Sequence, residues 1–403
     1  MINGWRYIKL NELINSLNAG ISVNSYDFQC SNNQKGILKT SCIYNGKFNV
    51  LQNKAIIEAE YTRAKLNPIK GEIIISRMNT PQLVGETGYV DKNYNNIYLP
   101  DRLWQTELKV GVCGKWLSLV LTTDRIKEQI KNIATGTSNS MKNISKPNFL
   151  AIVVPVPPLQ EQQKIAEILS NWDSLIEKQD QLIENKKEFK KGLMQRLLTG
   201  KVRFKTAYGE DFSKWEESQL GKYIIEYTEK TIENNQYPVL TSSRNGIVLQ
   251  TDYFKNIQVT TKENIGYHVI PYGYVTFRTR SDDENFTFNQ NTIIERGIVS
   301  YFYPVFTFNS SMDIYYVLTW MNNFLDKQIR KEIVGTSQLV LSLNKLKKFI
   351  IKLPSLEEQE KIAGVLMVAD NEIELLQKEL QALKLQKKGL MQRLLTGEVR
   401  VKL

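Results

Sequence analysis

The nine residues GLMQRLLTG stand at 192–200 and again, unchanged, at 389–397. Laid on 354–401 without gaps, residues 157–204 share 25 identities in 48 positions, far more than chance produces. The chain is therefore a two-fold repeat. Whatever one copy must bury the other must bury too, and the economical partner for each is its twin.

In the second copy apolar residues recur in steps of four and three: Ile362, Leu366, Ala369, Ile373, Leu376, Leu380, Leu383, then Leu390 and Leu394. That spacing is a heptad seam. The first copy places Ile165, Leu169, Trp172, Ile176, Ile183, Leu193 and Leu197 on the same stripe, interrupted by Gln179, Lys186 and Lys190. Ser355 with Glu358 is an S-x-x-E capping box behind Pro354, Pro157-Pro158 opens the other copy, and Gly200 and Gly397 stop the two. Each helix spans about 40 residues, roughly 60 Å at 1.5 Å per residue. A helix of that length is not stabilised alone, so the two are expected to pack against each other, and if they lie antiparallel an approximate dyad relates the two halves.

The repeat divides the chain into a globule at 1–155, a long helix at 156–204, a second globule at 205–352 and a second long helix at 353–403. Runs such as GEIIISR (71–77), FLAIVVPV (149–156), YVTFR (274–278) and FIIKL (349–353) read as strands bounded by Gly, Pro and Asn. Helical patterns, DRIKEQIKNI (124–133) and WMNNFLDKQIRKEI (320–333), lie among them, so each globule is expected to be mixed α/β. Trp5-x-x-Ile-x-Leu10 echoes Trp215-x4-Leu220, and Gly136-Thr137-Ser138 echoes Gly335-Thr336-Ser337. Elsewhere the globules differ freely. The constant parts are the helices, and the variable parts are the globules.

Fifty-three basic against forty-two acidic side chains give a net charge of +11, which points to a polyanionic partner. Three cysteines without CxxC spacing and the single His268 leave too few soft ligands for structural zinc. That sparse cysteine usage, with neither a leader-like N-terminus nor an apolar run of membrane-spanning length, leads us to expect a cytoplasmic protein.

Two unlike basic globules held apart by a stiff antiparallel spacer would suit two unlike half-sites on one DNA duplex. Side chains fit for that task recur after strands and in polar loops: Lys39, Thr40 and Ser41; Arg77, Asn79 and Thr80; Ser242, Ser243 and Arg244; Arg278, Arg280 and Ser281. Arginine reads guanine edges bidentately, Asn and Gln read adenine, and short hydroxyls hold phosphates. The loops Gly136-Thr137-Ser138 and Gly335-Thr336-Ser337-Gln338 follow basic helices and are candidate phosphate clamps. Tyr253, Tyr267, Tyr272 and Tyr274 read as core packing rather than stacking platforms. A basic band at one end of each helix, with the polar residues of the repeated nonapeptide, makes Lys190, Lys191, Gln195, Arg196, Lys387, Lys388, Gln392 and Arg393 candidates for contacting two identical partner molecules.

Catalytic readings are weaker. Pro100-Asp101 followed by Glu107-Leu108-Lys109 spells a P-D-x5-E-x-K that would have to bind Mg²⁺, but no second cluster supports it and the segment reads as a turn. Asn67-Pro68-Ile69-Lys70 lacks the aromatic that stacks on a flipped base, there is no phosphate-binding GxxxxGK[ST], and His268 has no evident nucleophile. The remaining rival is a coiled-coil scaffold whose globules bind proteins rather than DNA.

The helix entry P-L-x-E-Q-x-K-I-A (Pro157, Leu159, Glu161, Gln162, Lys164, Ile165 and Ala166; then Leu356, Glu358, Gln359, Lys361, Ile362 and Ala363), the exit GLMQRLLTG and the loop before each helix resemble the specificity subunit of type I restriction-modification systems. The resemblance implies that each globule is a target recognition domain reading half of a bipartite, asymmetric site across a nonspecific spacer. It also implies a non-catalytic chain whose two long helices form an antiparallel coiled coil with pseudo-two-fold symmetry, set the spacer and hold two modification subunits. Those partners would bind S-adenosylmethionine and methylate adenine. Up to two motor-nuclease subunits would add ATP- and Mg²⁺-dependent translocation and cleavage; this chain itself would bind no cofactor or metal. The first loop carries Asn139 where the second carries Gln338, so equivalent contacts by the two loops are not implied.

Overall fold

The computed structural model describes residues 4–136, 141–244, 246–254, 263–281, 285–332 and 339–402. Two compact units form, one from residues 1–181 with 377–403 and one from residues 182–376. Each long helix thus gives its first part to one unit and its last part to the other.

In the first unit a four-stranded antiparallel sheet runs in the order Ile14–Ala19, Leu103–Leu108, Ile73–Ser76, Thr87–Tyr89. The strand Ile73–Ser76 is buried at every position because both its faces are covered. Ile73 and Ile75 enter a core with Trp104, Trp116 and Phe149, while Ile74 enters a second core with Leu38, Ile43 and Leu99. The second of these cores lies under a small sheet in which Gly36–Leu38 pairs with Ile97–Tyr98 and with Asn53–Ala55.

The second unit repeats the plan with other residues: Ile224–Tyr227, Val305–Phe308, Val275–Thr276 and Asn289–Gln290 follow one another in the same order. Its core is more aromatic, with Phe277 at 4.9 Å from Phe288 and 6.3 Å from Phe306, ring centre to ring centre. Of the expected strands, 71–77 and 349–353 form largely as read. The run at 149–156 divides, its first residues closing a short helix Lys146–Leu150 before a strand Val153–Val156. Ser145 caps that helix by accepting from the Asn148 amide, which takes Phe149 out of strand conformation and into the core. The pattern at 320–333 likewise resolves into two helices, Ile314–Phe324 and Asp326–Glu332.

The long helices are Leu159–Leu197, 39 residues, and Leu356–Thr396, 41 residues. Within the first unit Lys387 donates to Asp173 at 2.6 Å and Gln179 to Glu379 at 3.1 Å. Within the second, Lys190 donates to Asp370 at 2.5 Å and Lys186 meets Glu372 at 2.6 Å. In each unit the residue numbers rise along one helix as they fall along the other, so the pairing is antiparallel. The heptad residues Ile165, Leu169, Ile176 and Ile183 are buried, as are Ile362, Leu366, Ile373 and Leu380.

Both entry motifs do the same work. Glu161 is 1% exposed and Glu358 0%, yet each is ionisable, so each needs partners. Glu161 accepts from the Trp5 indole at 3.0 Å and from Arg400 at 2.6 and 2.8 Å; Glu358 accepts from the Trp215 indole at 3.1 Å and from Arg203 at 3.0 and 2.7 Å. Each guanidinium arrives from just beyond the end of the opposite helix. The neighbouring glutamines span the helix start: Gln162 accepts from the Cys113 amide and donates to the Pro157 carbonyl, both at 2.9 Å. Gln359 makes the matching bonds with the Asp313 amide and the Pro354 carbonyl. The capping box at Ser355 is half formed. Its hydroxyl accepts from the Glu358 amide, but the Glu358 carboxylate turns to Arg203 and Trp215 instead of reaching back.

The exit motif is fixed from within as well. Leu197 and Leu198 join the core of the second unit, and Leu394 and Leu395 join that of the first. Gly200 and Gly397 take φ of +70° and +75°, a left-handed stop that glycine adopts without steric cost. The leucines and glycine of the repeat therefore have an internal reason to be identical, where the sequence alone suggested a partner.

Candidate nucleic-acid interface

In the second unit the structure brings the expected residues to one place. Ser242, Ser243, Arg244, Arg278, Arg280 and Ser281 line a single cavity of about 330 Å³ together with Tyr253, Asn285, Phe286 and Thr287. The hairpin Leu240–Ser243 with Gly246–Leu249 forms one wall. Asn289 latches it, donating to the Ser242 hydroxyl at 2.8 Å and the Ser243 carbonyl at 2.7 Å. The opposite wall is the segment 278–281, whose strand Arg280–Ser281 pairs with Leu339–Val340. Arg244, Arg278 and Arg280 are exposed, so three cationic heads face one polar cleft. Burial pushes the Tyr303 phenol up, and the nearby Arg278 charge opposes that shift.

In the first unit the ladder of Gly36–Leu38 with Asn53–Ala55 ends at Leu38, and Thr40–Cys42 turns into a 3-10 helix that carries Thr40 and Ser41, with Lys39 just before it, whereas the second unit's strand runs on through Leu240–Ser243. Ser41 donates to Gln52 at 3.2 Å, and Lys39 is exposed. Arg77 is only half free: Nε donates to the Asp101 carbonyl at 2.7 Å, Nη2 lies 3.9 Å from the Asp101 carboxylate, and the guanidinium stands 6.0 Å over the Trp104 ring. Asn79 donates to Ser76 at 3.1 Å and its oxygen accepts from the Thr80 amide at 2.9 Å. Met78–Asn79 pairs with Lys142–Asn143, and Lys142 donates to the Gly136 carbonyl at 2.9 Å.

The two arginine segments are not in register with each other. The Arg77 amide donates to Arg102 and its carbonyl accepts from Ile144; Thr279 makes those same bonds, to Phe302 and from Leu341. Thr279 therefore takes Arg77's place, Arg278 takes that of Ser76, and Arg280 that of Met78. A shift of one residue along a strand turns a side chain to the other face. Thr137 and Ser138, and Gly335, Thr336, Ser337 and Gln338, lie outside the described residues, as do Asn139 and Asn245.

Other residues read from sequence find ordinary employment. Asp101 lies in a turn, accepting from Ser22 and facing Arg77, and Glu107 accepts from Ser16 at 2.7 Å. Among the described residues no group of acidic, histidine or cysteine side chains is placed to hold a metal ion. His268 is part of the strand His268–Pro271 and its Nδ1 lies 2.9 Å from the Tyr303 carbonyl. Tyr267 is buried and Tyr274 packs on Tyr227 at 4.9 Å, but Tyr272 is exposed and Tyr253 lines the cavity, so the tyrosines do not share one role. On the helices Lys190 and Lys387 are engaged with Asp370 and Asp173, whereas Lys191, Gln195, Arg196, Lys388, Gln392 and Arg393 are exposed. Sequence reading missed Asn289, Asn285 and Phe302, which follow no motif; Asn289 arrives on the strand Asn289–Gln290, and the other two on the segments that flank the cleft's strands. No described helix is long and apolar enough to cross a membrane.

The family model described as Type I restriction modification DNA specificity domain matches twice, over residues 2–185 and 213–385. The chain is 29% identical over 330 residues to the type I restriction enzyme MjaVIII specificity subunit of Methanocaldococcus jannaschii, covering 71% of this chain and 69% of that one. It is 28% identical over 367 residues to the putative MjaX specificity subunit of the same organism, covering 84% and 81%. Among solved structures, the S subunit of a type I restriction-modification system from M. genitalium superposes with a TM-score of 0.57 at 17% identity, over 97% of this chain and 96% of that one. With two matches that take in both units and most of the chain, the protein belongs to the type I restriction-modification DNA specificity family and is a specificity subunit of such a system.

Proposed function

We propose that each unit reads one half of a bipartite, asymmetric duplex site, and that the long helices set the spacer between the halves. The observation that carries this reading is that one sheet plan is built twice with different side chains at matched positions: Ser76 and Met78 against Arg278 and Arg280. The scaffold is common and the readers are not, as two unlike half-sites require. Arg244, Arg278 and Arg280 supply the second unit's contacts; Lys39, Thr40, Ser41, Arg77, Asn79 and Thr80 supply the first unit's.

Two modification subunits dock on the helices, bind S-adenosylmethionine and methylate adenine, while up to two motor-nuclease subunits add the chemistry that uses ATP and Mg²⁺. This chain selects the DNA and catalyses nothing. Apolar side chains off the seam support docking there: Phe189 at 62%, Val368 at 68% and Leu375 at 59% exposed in the second unit, and Leu385 at 71% in the first. Large exposed apolar groups on a helix face mark a surface that a partner covers. The test is duplex binding by the chain assembled with its modification subunit, measured against salt. Affinity falls steeply as salt rises if phosphates are neutralised. Binding indifferent to salt would return the chain to the scaffold reading.

A further inference from the structure

Arg280 differs from the other candidate readers in how it is held. Its guanidinium lies 4.4 Å above the Phe302 ring, the side chain is exposed, and among the described residues it enters no ion pair. Arg77, by contrast, spends its Nε on the Asp101 carbonyl and keeps 27% of its side chain exposed. A ring beneath a guanidinium takes up one π face and leaves the five edge N–H donors free. Phe302 is itself fixed, because its carbonyl accepts from both the amide and the hydroxyl of Thr279 at 2.9 Å and Tyr301 packs against it at 4.3 Å. The place of the Arg280 guanidinium over the ring is therefore set by protein rather than by solvent.

A loosely held surface arginine serves as a point charge for phosphate. One whose head is held in place beforehand, on the wall of a polar cleft, is suited to donate twice to O6 and N7 of guanine in the major groove. We propose that Arg280 reads a guanine in the half-site taken by the second unit and that Phe302 is the positioning residue that aims it. At the matched position the first unit carries Met78, which cannot make this contact. This deepens the DNA-reading assignment above and rests on it.

The test is to produce the full chain with its modification subunit in a host free of adenine methylation and sequence the methylated motif. A wild-type complex that methylates no bipartite motif overturns the DNA-reading assignment itself. Given a motif, R280A is expected to relax one guanine in one half, with the preference falling roughly 5- to 100-fold and the other half unchanged. R280Q is expected to turn that position toward adenine. F302A should relax the same position in part, and F302Y should restore it, which a merely structural ring would not single out. Should R280A fail to assemble, R280K keeps the charge but not the fork and should relax the same guanine. Retention of guanine in these variants, or a loss spread evenly over all positions as expected for a phosphate contact, overturns the proposal.

Discussion

Arg400 grips Glu161 from 239 positions away, Nε to Oε1 at 2.6 Å and Nη2 to Oε2 at 2.8 Å, and closes the first unit with a residue from the far end of the sequence. Arg203 and Glu358 repeat the relationship in the second. Removing the carboxylate leaves the buried Trp5 indole donor and a guanidinium without their acceptor. Glu161→Ala is expected to destabilise the first unit by about 2 kcal/mol, and Trp5→Phe, which keeps the ring and drops the donor, by about 1 kcal/mol. Urea unfolding followed by near-ultraviolet circular dichroism measures both. Equal stability of Glu161→Ala and wild type would show that the clamp is ornamental.

The pair Lys387 and Asp173 is partly exposed, as is Lys190 with Asp370, so each pair contributes modestly and chiefly fixes register. A double-mutant cycle on Lys387→Ala and Asp173→Ala is expected to give a coupling of roughly 0.5–1 kcal/mol. Exchanging the two residues should recover most of it. Zero coupling would mean that the heptad seam alone aligns the helices.

Cys42 is fully buried, and burial pushes its thiol up to about 12 from 9.0. Because the folded value lies above the unfolded one, its contribution to stability is fully present below about pH 9 and is lost as pH rises toward 12. At pH 8 Cys42 should resist iodoacetamide until the chain is unfolded, when mass spectrometry should find it alkylated. Rapid modification of native Cys42 would show that the core under the small sheet opens.

Much of this was legible in sequence where a period or a motif enforces it. The heptads announced both helices and their pairing, but Lys190 and Lys387, read as partner contacts, turn out to be engaged with Asp370 and Asp173 across the helix pair. The cleft at Ser242–Arg244 and Arg278–Ser281 was visible because polar residues there interrupt apolar strands. What sequence could not supply was register. Arg77 and Arg280 look alike in a list, but only the bonds to Arg102 and Phe302 show that they stand one position apart and face different surroundings. Nor could it foresee that Glu161 and Glu358, which read as helix-start carboxylates, would be sealed away from water by tryptophan and arginine.

The helix pairing also sets the terms for changing the spacer. Insertion into one helix alone would break the register recorded by Gln179 with Glu379 and Lys186 with Glu372. One heptad inserted after Leu182, with a matching heptad after Leu376, preserves the seam and lengthens the spacer by about 10 Å. That corresponds to about three base pairs at 3.4 Å per step, so the methylated motif should tolerate a gap longer by about that number. An unaltered gap would mean that the helices do not measure it.

The central claim is that two independent readers occupy one chain. It is tested most directly by replacing residues 1–150 with the corresponding segment of a relative that has another specificity, then sequencing the methylated motif of the reconstituted complex. The account predicts that one half of the motif changes to the relative's and the other half stays as it was. A motif altered in both halves, or in neither, would contradict it.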